Sequence, residues 1–304
     1  MMACPSGRPG GVDSSSALVA GEDVVPLCSI SAPVVGDVSV FFSGGLDSTA
    51  VACMAGLKQA GRVHLITLDH GYGYLFKRWA ERNVPALKRV LGDDRVVHRY
   101  MDIHDLFKTI AVDSFVRDLA TYRAKFGVCM GCTMALTAHT VVYNLENRIP
   151  HIMMGSSVGG TYAPQSMPVT VALQKAFCAR YGIIYSTPLL DDHIVKEQER
   201  ELLRTLGVSP GIRFLDKHSF GTQGYCLPSV QHLPDVFLNI HPVYPPTKVG
   251  QFYQAKVDLC HDHVVSHFRR TGQDLDAAVA ALREMTGVAE ELSEPVEEEG
   301  TASG

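Results

Sequence analysis

The sequence predicts an α/β protein built on a doubly wound parallel sheet, and three observations carry that expectation. Short strand-like runs alternate with helix-spaced segments through the first two thirds of the chain. The first run, Val38 to Phe42, is β-branched and aromatic, short and bounded, so it reads as a buried strand. A glycine pair then leads straight into residues spaced as a helix, which is the local order of a βα unit.

Taken in order, apolar residues from about Ser48 recur at helical spacing through Val51, Met54 and Leu57, giving a helix over 48–59. A strand follows from Val63 to Leu68, then helical spacing in "YLFKRWAERNVPALKRVLG" and a strand in "RVVHRYMDI". "TMALTAHTVVYNLENR" is helical, "IPHIMMGSS" a strand, "VTVALQKAFCARYG" a helix and "IIYSTPLL" a strand. "HIVKEQERELLRTLGV" is an amphipathic helix closed by Gly207. In open parallel sheets ligands gather at the carboxyl ends of the strands. That rule puts the Ser43 loop, Asp69-His70-Gly71 and Gly155-Ser156-Ser157 on one rim.

Beyond Val208 the periodicity weakens, and residues 209–285 read as an irregular appendage that brings late cysteines to the sheet. The nucleotide-binding unit is expected over 36–208. Residues 1–35, rich in Gly, Pro and Ser, read as a flexible lead-in, and 286–304 as a disordered acidic tail.

At 304 residues the chain can bury a sizeable core. Its net charge of −5, from 27 basic against 32 acidic residues, is not the footprint of a nucleic-acid binder. No apolar stretch reads as a membrane span, so no membrane partner is expected. No basic segment followed by an apolar one stands near the start, and the expected location is cytoplasmic. In such a reducing compartment the eight cysteines point to metal binding or chemistry rather than disulfides. Cys53 and Cys178 lie in apolar helices and read as small core residues, while Cys4 and Cys28 carry no signal.

The string Ser43-Gly44-Gly45-Leu46-Asp47-Ser48 holds the first chemistry. Glycines permit the sharp turn, and the unpaired N–H groups and dipole of the following helix start favour an anion such as phosphate. The bland reading is an ordinary turn with Ser and Asp as helix caps. The complete string in a strand-to-helix context favours the phosphate loop. It is not the Walker pattern, because no Gly-Lys-Ser/Thr follows.

The string resembles the SGGxDS loop of the PP-loop ATP pyrophosphatases, which have an adenine nucleotide alpha hydrolase-like fold of HUP type. Those enzymes bind ATP and release pyrophosphate while adenylating a substrate oxygen. By that resemblance Ser43, Gly44, Gly45 and Ser48 cradle the pyrophosphate end, and Asp47 helps to hold Mg2+. Asp47 and Ser48 are the implied catalytic pair, with Asp69 and Gly155 also lining the nucleotide. His70 reads as a structural histidine. "YSTPLLDDHIVKEQERELLRTLGV" resembles the Pro-Leu, Lys-Glu, helix, Leu-Gly order of the same family, which widens the likeness to about 36–208.

The subclass turns on "FGVCMGCTMALTAHTVV", where Cys129 and Cys132 form a CxxC immediately before a helix. A helix start favours the thiolate that metals need. A thioredoxin-like redox pair and chance spacing are the alternatives. Cys226, in "GTQGYCLP", is placed to return to the rim. Cys129, Cys132 and Cys226 suit a [4Fe–4S] cluster with one open iron. A fourth ligand from Cys260, His261 or His263 would instead close a Zn2+ site.

Loop, CxxC and one late cysteine resemble the tRNA 2-thiolation branch of the family, in which three cysteines hold the cluster. The chain departs from that branch at Gly155-Ser156-Ser157-Val158-Gly159-Gly160, which lacks its acidic string, and in the helix after the CxxC, which lacks its cations.

The resemblance thus implies an ATP-dependent sulfurtransferase acting with ATP, a sulfur donor and an acceptor. The acceptor is a small molecule or a tRNA, and the acidity favours the small molecule. A homodimer stays open. Two alternatives stand beside it: a nitrogen-inserting enzyme similar to 7-cyano-7-deazaguanine synthase, with structural zinc, and a nucleotide-binding module without catalysis.

Overall fold

The computed structural model describes residues 36–58, 61–72, 77–122, 125–156, 163–209 and 244–288. The lead-in 1–35, Cys226 and most of the acidic tail lie outside the described residues.

Five strands form the sheet: β1 (Val38–Phe41), β2 (Val63–Asp69), β3 (Val96–Asp102), β4 (His151–Met154) and β5 (Ile184–Ser186). Their order is β3-β2-β1-β4-β5 and every pairing is parallel. Val38 registers with Val63 on one side and His151 on the other, so β1 is central. The chain reverses direction across the sheet between β3 and β4, and the crevice at that switch point opens beside β1. This is the doubly wound α/β architecture that the sequence predicts.

Both faces are covered. On one, α1 (Leu46–Leu57), α2 (Val84–Leu91), α7 (Pro188–Asp191) and α8 (Lys196–Thr205) join Val38, Val40 and Leu65 in one core through Val51, Leu87, Leu189 and Leu203. On the other, α3 (His104–Phe107), α5 (Gly127–Asn147) and α6 (Pro168–Ala179) pack on Phe41, Ile66 and Ile152. A short π-helical turn, Lys108–Val112, and α4 (Phe115–Tyr122) connect α3 to α5. Neither was predicted, because neither stretch is long enough to show a period.

The irregular appendage expected over 209–285 is helical in its described part. α9 (Pro246–Thr271) runs 26 residues and α10 (Leu275–Thr286) follows it. Val249, Phe252, Lys256, Cys260, Val264 and Phe268 recur every three or four residues and are buried against α5 and α6. Pro245 caps the helix and Pro246 takes its first position, where the missing N–H costs nothing. Gly272, at φ +70°, ends it.

α5 corrects a second expectation. Its 21 residues are long and apolar enough, by length and composition, to cross a membrane. Of its most apolar stretch 72% is buried inside this protein, which accounts for that character as a core helix.

Candidate active site

β1 ends at Phe41 and α1 begins at Leu46, so the turn between them is only four residues long. Gly44 takes φ +71°, and a Cβ there would stand 2.5 Å from the Cα of Ala80. No other residue fits. Gly45 is the helix N-cap, extended at φ −79° and ψ 177°, and it brings no side chain to cap the first-turn N–H groups. Those donors converge on the mouth of the loop, where the helix dipole adds a positive potential. The carboxyl rim therefore offers an anion a backbone cradle.

The hydroxyls brace the loop from inside. Ser48 Oγ donates to the Gly45 carbonyl at 3.2 Å and accepts from the Ser43 N–H at 3.3 Å. It also lies 3.2 Å from Ser43 Oγ. Asn83 latches the outside, its Nδ2 donating to the Gly44 carbonyl at 3.1 Å and to Thr49 Oγ1 at 3.3 Å. Gly155, just after β4, closes the floor. A Cβ on it would lie 2.8 Å from Asp47 C and Ser48 N.

Asp47 does not cap α1. Its carboxylate is bonded to the ammonium of Lys196, the first residue of α8. Glu199, one turn along α8, faces the same ammonium at 3.6 Å, an ion-pair distance longer than a hydrogen bond. Glu199 is fully buried, and neither of its carboxyl oxygens has a hydrogen-bond partner among the described residues. Burial above all, then the nearby charge of Asp47, pushes the Glu199 carboxyl up to about 8 against the pull of Lys196. Asp47 and Glu199 are hard oxygen donors of the kind Mg2+ takes alongside phosphate.

Asp69 ends β2 on the same rim, and His70 follows it. Asp69 Oδ1 accepts the Gly71 N–H at 3.1 Å, a turn-forming contact. His70 is fully buried, stacks on Phe107 with ring centroids 5.1 Å apart, and accepts the Tyr72 N–H at 3.0 Å. These contacts fix the ring in the core.

Cys129 and Cys132 sit within α5, not before it, at its third and sixth residues. Phe126 is the reason for the early start. Fully buried between the edges of Tyr244 and Phe252, it anchors the first turn, which the Met130 N–H to Phe126 carbonyl bond closes at 3.0 Å. Three residues apart, the two thiols share one helical face, and both are half-buried. α5 leads into a parallel strand, so its N-terminus lies on the carboxyl rim. The CxxC and the glycine loop are thus on one edge of the sheet.

The zinc alternative loses its fourth ligands. Cys260 is buried at the middle of α5, its Sγ donating to the Met134 carbonyl at 3.8 Å, and burial pushes its thiol up to about 12. His261 is held by the Tyr181 hydroxyl at 2.8 Å, and His263 packs on the His139 ring at 4.1 Å. Among the described residues, no three His, Cys, Asp or Glu side chains are grouped to hold a metal ion. Two half-buried thiols at one helix start fit part of a three-cysteine cluster, and Cys226 lies outside the described residues. Cys53 and Cys178 are buried core residues, as expected.

Residues 35–104 match the family model described as asparagine synthase, a domain of the PP-loop ATP pyrophosphatase superfamily. The match is a likeness to that superfamily over the loop-bearing part of the sheet, from β1 to the start of α3. The matched segment contains the PP-loop itself, with Ser43 to Ser48, and runs through Asp69 to the end of β3. No curated protein matches the chain in sequence. Among solved structures the chain is similar to the U34-tRNA thiolase NcsA from Methanococcus maripaludis, which was solved with its [4Fe-4S] cluster. The likeness covers 75% of this chain and 74% of that one at 12% identity, with a TM-score of 0.37. A likeness of that size carries no chemistry across.

Lys196, Glu199 and Asn83 were not among the residues singled out from the sequence. A signal existed only for Lys196, which opens the Lys-Glu pair of the family-like segment. Which carboxylate it would meet depends on how α8 crosses α1.

Proposed function

We propose that the protein is an ATP-dependent sulfurtransferase: it adenylates an oxygen of its acceptor and replaces that oxygen with sulfur. The observation that carries the reading is the PP-loop cradle and the Cys129–Cys132 pair on one sheet edge.

In this reading, the first-turn N–H groups of α1 bind the β- and γ-phosphates, and the Gly44 turn lets them approach closely. Asp47 and Glu199 would hold Mg2+, which neutralises charge on the departing pyrophosphate. Lys196 would supply a second cation, on the phosphate side of the metal. The acceptor oxygen attacks the α-phosphorus, the α–β phosphoanhydride bond breaks, and pyrophosphate leaves with the bonding electrons. The PP-loop stabilises that developing charge with donors fixed in advance. A hydrosulfide-level sulfur then adds to the activated carbon, and AMP departs with the original oxygen. Cys129, Cys132 and Cys226 would hold the [4Fe–4S] cluster, whose open iron delivers sulfur when it is bound. A cytoplasmic setting belongs to the same proposal, since such a cluster needs a reducing compartment.

Anaerobic purification followed by iron, sulfide and visible-absorbance measurement tests this reading. Near four irons per chain, lost in Cys129→Ala and Cys226→Ala, is expected for a cluster of this type. Stoichiometric zinc together with ammonia-dependent AMP release would instead establish the nitrogen-inserting alternative.

A further inference from the structure

The ammonium of Lys196 occupies an unusual place. It is bonded to the Asp47 carboxylate on α1 and faces the Glu199 carboxyl on its own helix at 3.6 Å. The Lys196 side chain is only 25% exposed, Asp47 27%, and Glu199 not at all. A fully buried carboxyl with no hydrogen-bond partner within 3.5 Å among the described residues, and only the longer contact to Lys196, leaves coordination capacity unused, which native interiors rarely tolerate without a reason. Through Lys196 and Asp47 these oxygens adjoin the loop of Ser43 to Ser48, where the proposed reading seats a metal–nucleotide complex. The other charged groups of that turn point elsewhere: Glu197 pairs with Arg200 at 3.0 Å, on the exposed side of α8.

Mg2+ is held in phosphate sites by one or two carboxylates, with phosphate and water completing its shell. Asp47 and Glu199 are such a pair. The point between them that suits a cation is taken by a lysine ammonium, itself a compact point charge on a flexible stem.

We propose that Lys196 is a tethered counter-ion that competes with a divalent cation for one position between Asp47 and Glu199. When the cation enters, the ammonium is displaced along its stem toward the phosphates, and Glu199 gains the ligand its oxygens lack. Glu199 is then a metal-positioning residue, and Lys196 is the reason that free metal, without nucleotide, binds poorly. This inference rests on the proposed ATP reading only for the direction in which Lys196 moves. The competition itself concerns three residues of the nucleotide-free chain.

The test is Mn2+ binding to the full-length protein without nucleotide, followed by electron paramagnetic resonance and calorimetry. Lys196→Met keeps the apolar stem and removes the charge. It is expected to bind one Mn2+ per chain at least about tenfold more tightly than the wild type. Adding Glu199→Gln or Asp47→Asn to it should abolish the gain. An equal affinity in Lys196→Met and wild type, or a gain that survives Glu199→Gln, overturns the proposal.

The unmodified protein provides a second readout, independent of whether the variants fold. Millimolar Mn2+ should raise amine-reagent labelling of Lys196 several-fold over sodium chloride of equal ionic strength. Unchanged labelling counts against eviction. Failure to cleave ATP alongside the expected Mn2+ result would sink the catalytic reading and leave this one standing.

Discussion

Lys196 opens α8 by reaching the carboxylate of Asp47, a residue 149 positions earlier in the first turn of α1. That single contact ties the far end of the sheet unit to the PP-loop and sets the charge balance of the site.

It also decides what Asp47→Asn should do. Asp47 is not a cap, so the substitution removes charge without unpicking the helix start. The pair is partly solvated, and such pairs contribute about 1 kcal/mol or less. The variant should melt close to wild type, while AMP formation falls about a hundredfold or more, near 3 kcal/mol of transition-state stabilisation. Pyrophosphate release within a few-fold of wild type would remove Asp47 from the chemistry.

Glu199→Gln should change how stability responds to base. Its carboxyl titrates near 8 in the folded chain and near 4.5 when unfolded. The contribution of this group to stability is complete below pH 4.5 and is lost as pH climbs through the folded value. Urea midpoints of wild type and variant between pH 5 and 8 report the difference. The wild type should lose more stability over that interval than Glu199→Gln. Parallel curves would mean that Glu199 is not the group responsible.

The histidines between α5 and α9 act in the opposite direction. His139 and His263 pack ring to ring at 4.1 Å, and burial holds them down to about 3 and about 4. His267 and Arg270 add positive charge from α9, His267 itself pairing with Glu146, and Asp102 at the end of β3 opposes it. With folded values below the unfolded 6.5, their contribution is whole above pH 6.5 and fades as pH falls toward 4. His263→Gln should therefore show a shallower loss of stability between pH 6.5 and 4.5 than wild type. Thermal melts across that range check it.

Gly155→Ala probes the floor of the site. Its new methyl would meet the backbone of Asp47 and Ser48 at 2.8 Å, and backbone cannot swing away as a side chain can. The loop must shift off β4. Nucleotide affinity, measured by calorimetry, should fall about tenfold or more while the secondary structure persists. Unaltered affinity would show that the loop tolerates displacement.

Much of the site was legible because its logic is local. Val38 to Ser48 carries strand, turn and helix start within a dozen residues, and the parallel sheet followed from alternation alone. The rest depends on contacts that sequence spacing does not encode. Asn83 reaches the loop only because the 3-10 turn Lys77–Asn83 packs Ala80 against Gly44. Glu199 reads as one more charge on an amphipathic helix, yet it is fully buried beside Leu203 on the inward face. α9 stayed hidden because the periodicity weakens after Val208, before the helix begins at Pro246. The CxxC was assigned to the loop before α5 because the packing of Phe126, which draws the helix back to Gly127, lies among rings distant in sequence.

The central claim is that this PP-loop cleaves ATP between the α- and β-phosphates. ATP labelled at the α-phosphorus, incubated anaerobically with the protein, Mg2+, sulfide and a mixed pool of small molecules and tRNA, tests it directly. Label in AMP, with an equal amount of pyrophosphate released, is the expected result. Label in ADP, or ATP bound and recovered intact under every condition, would contradict it.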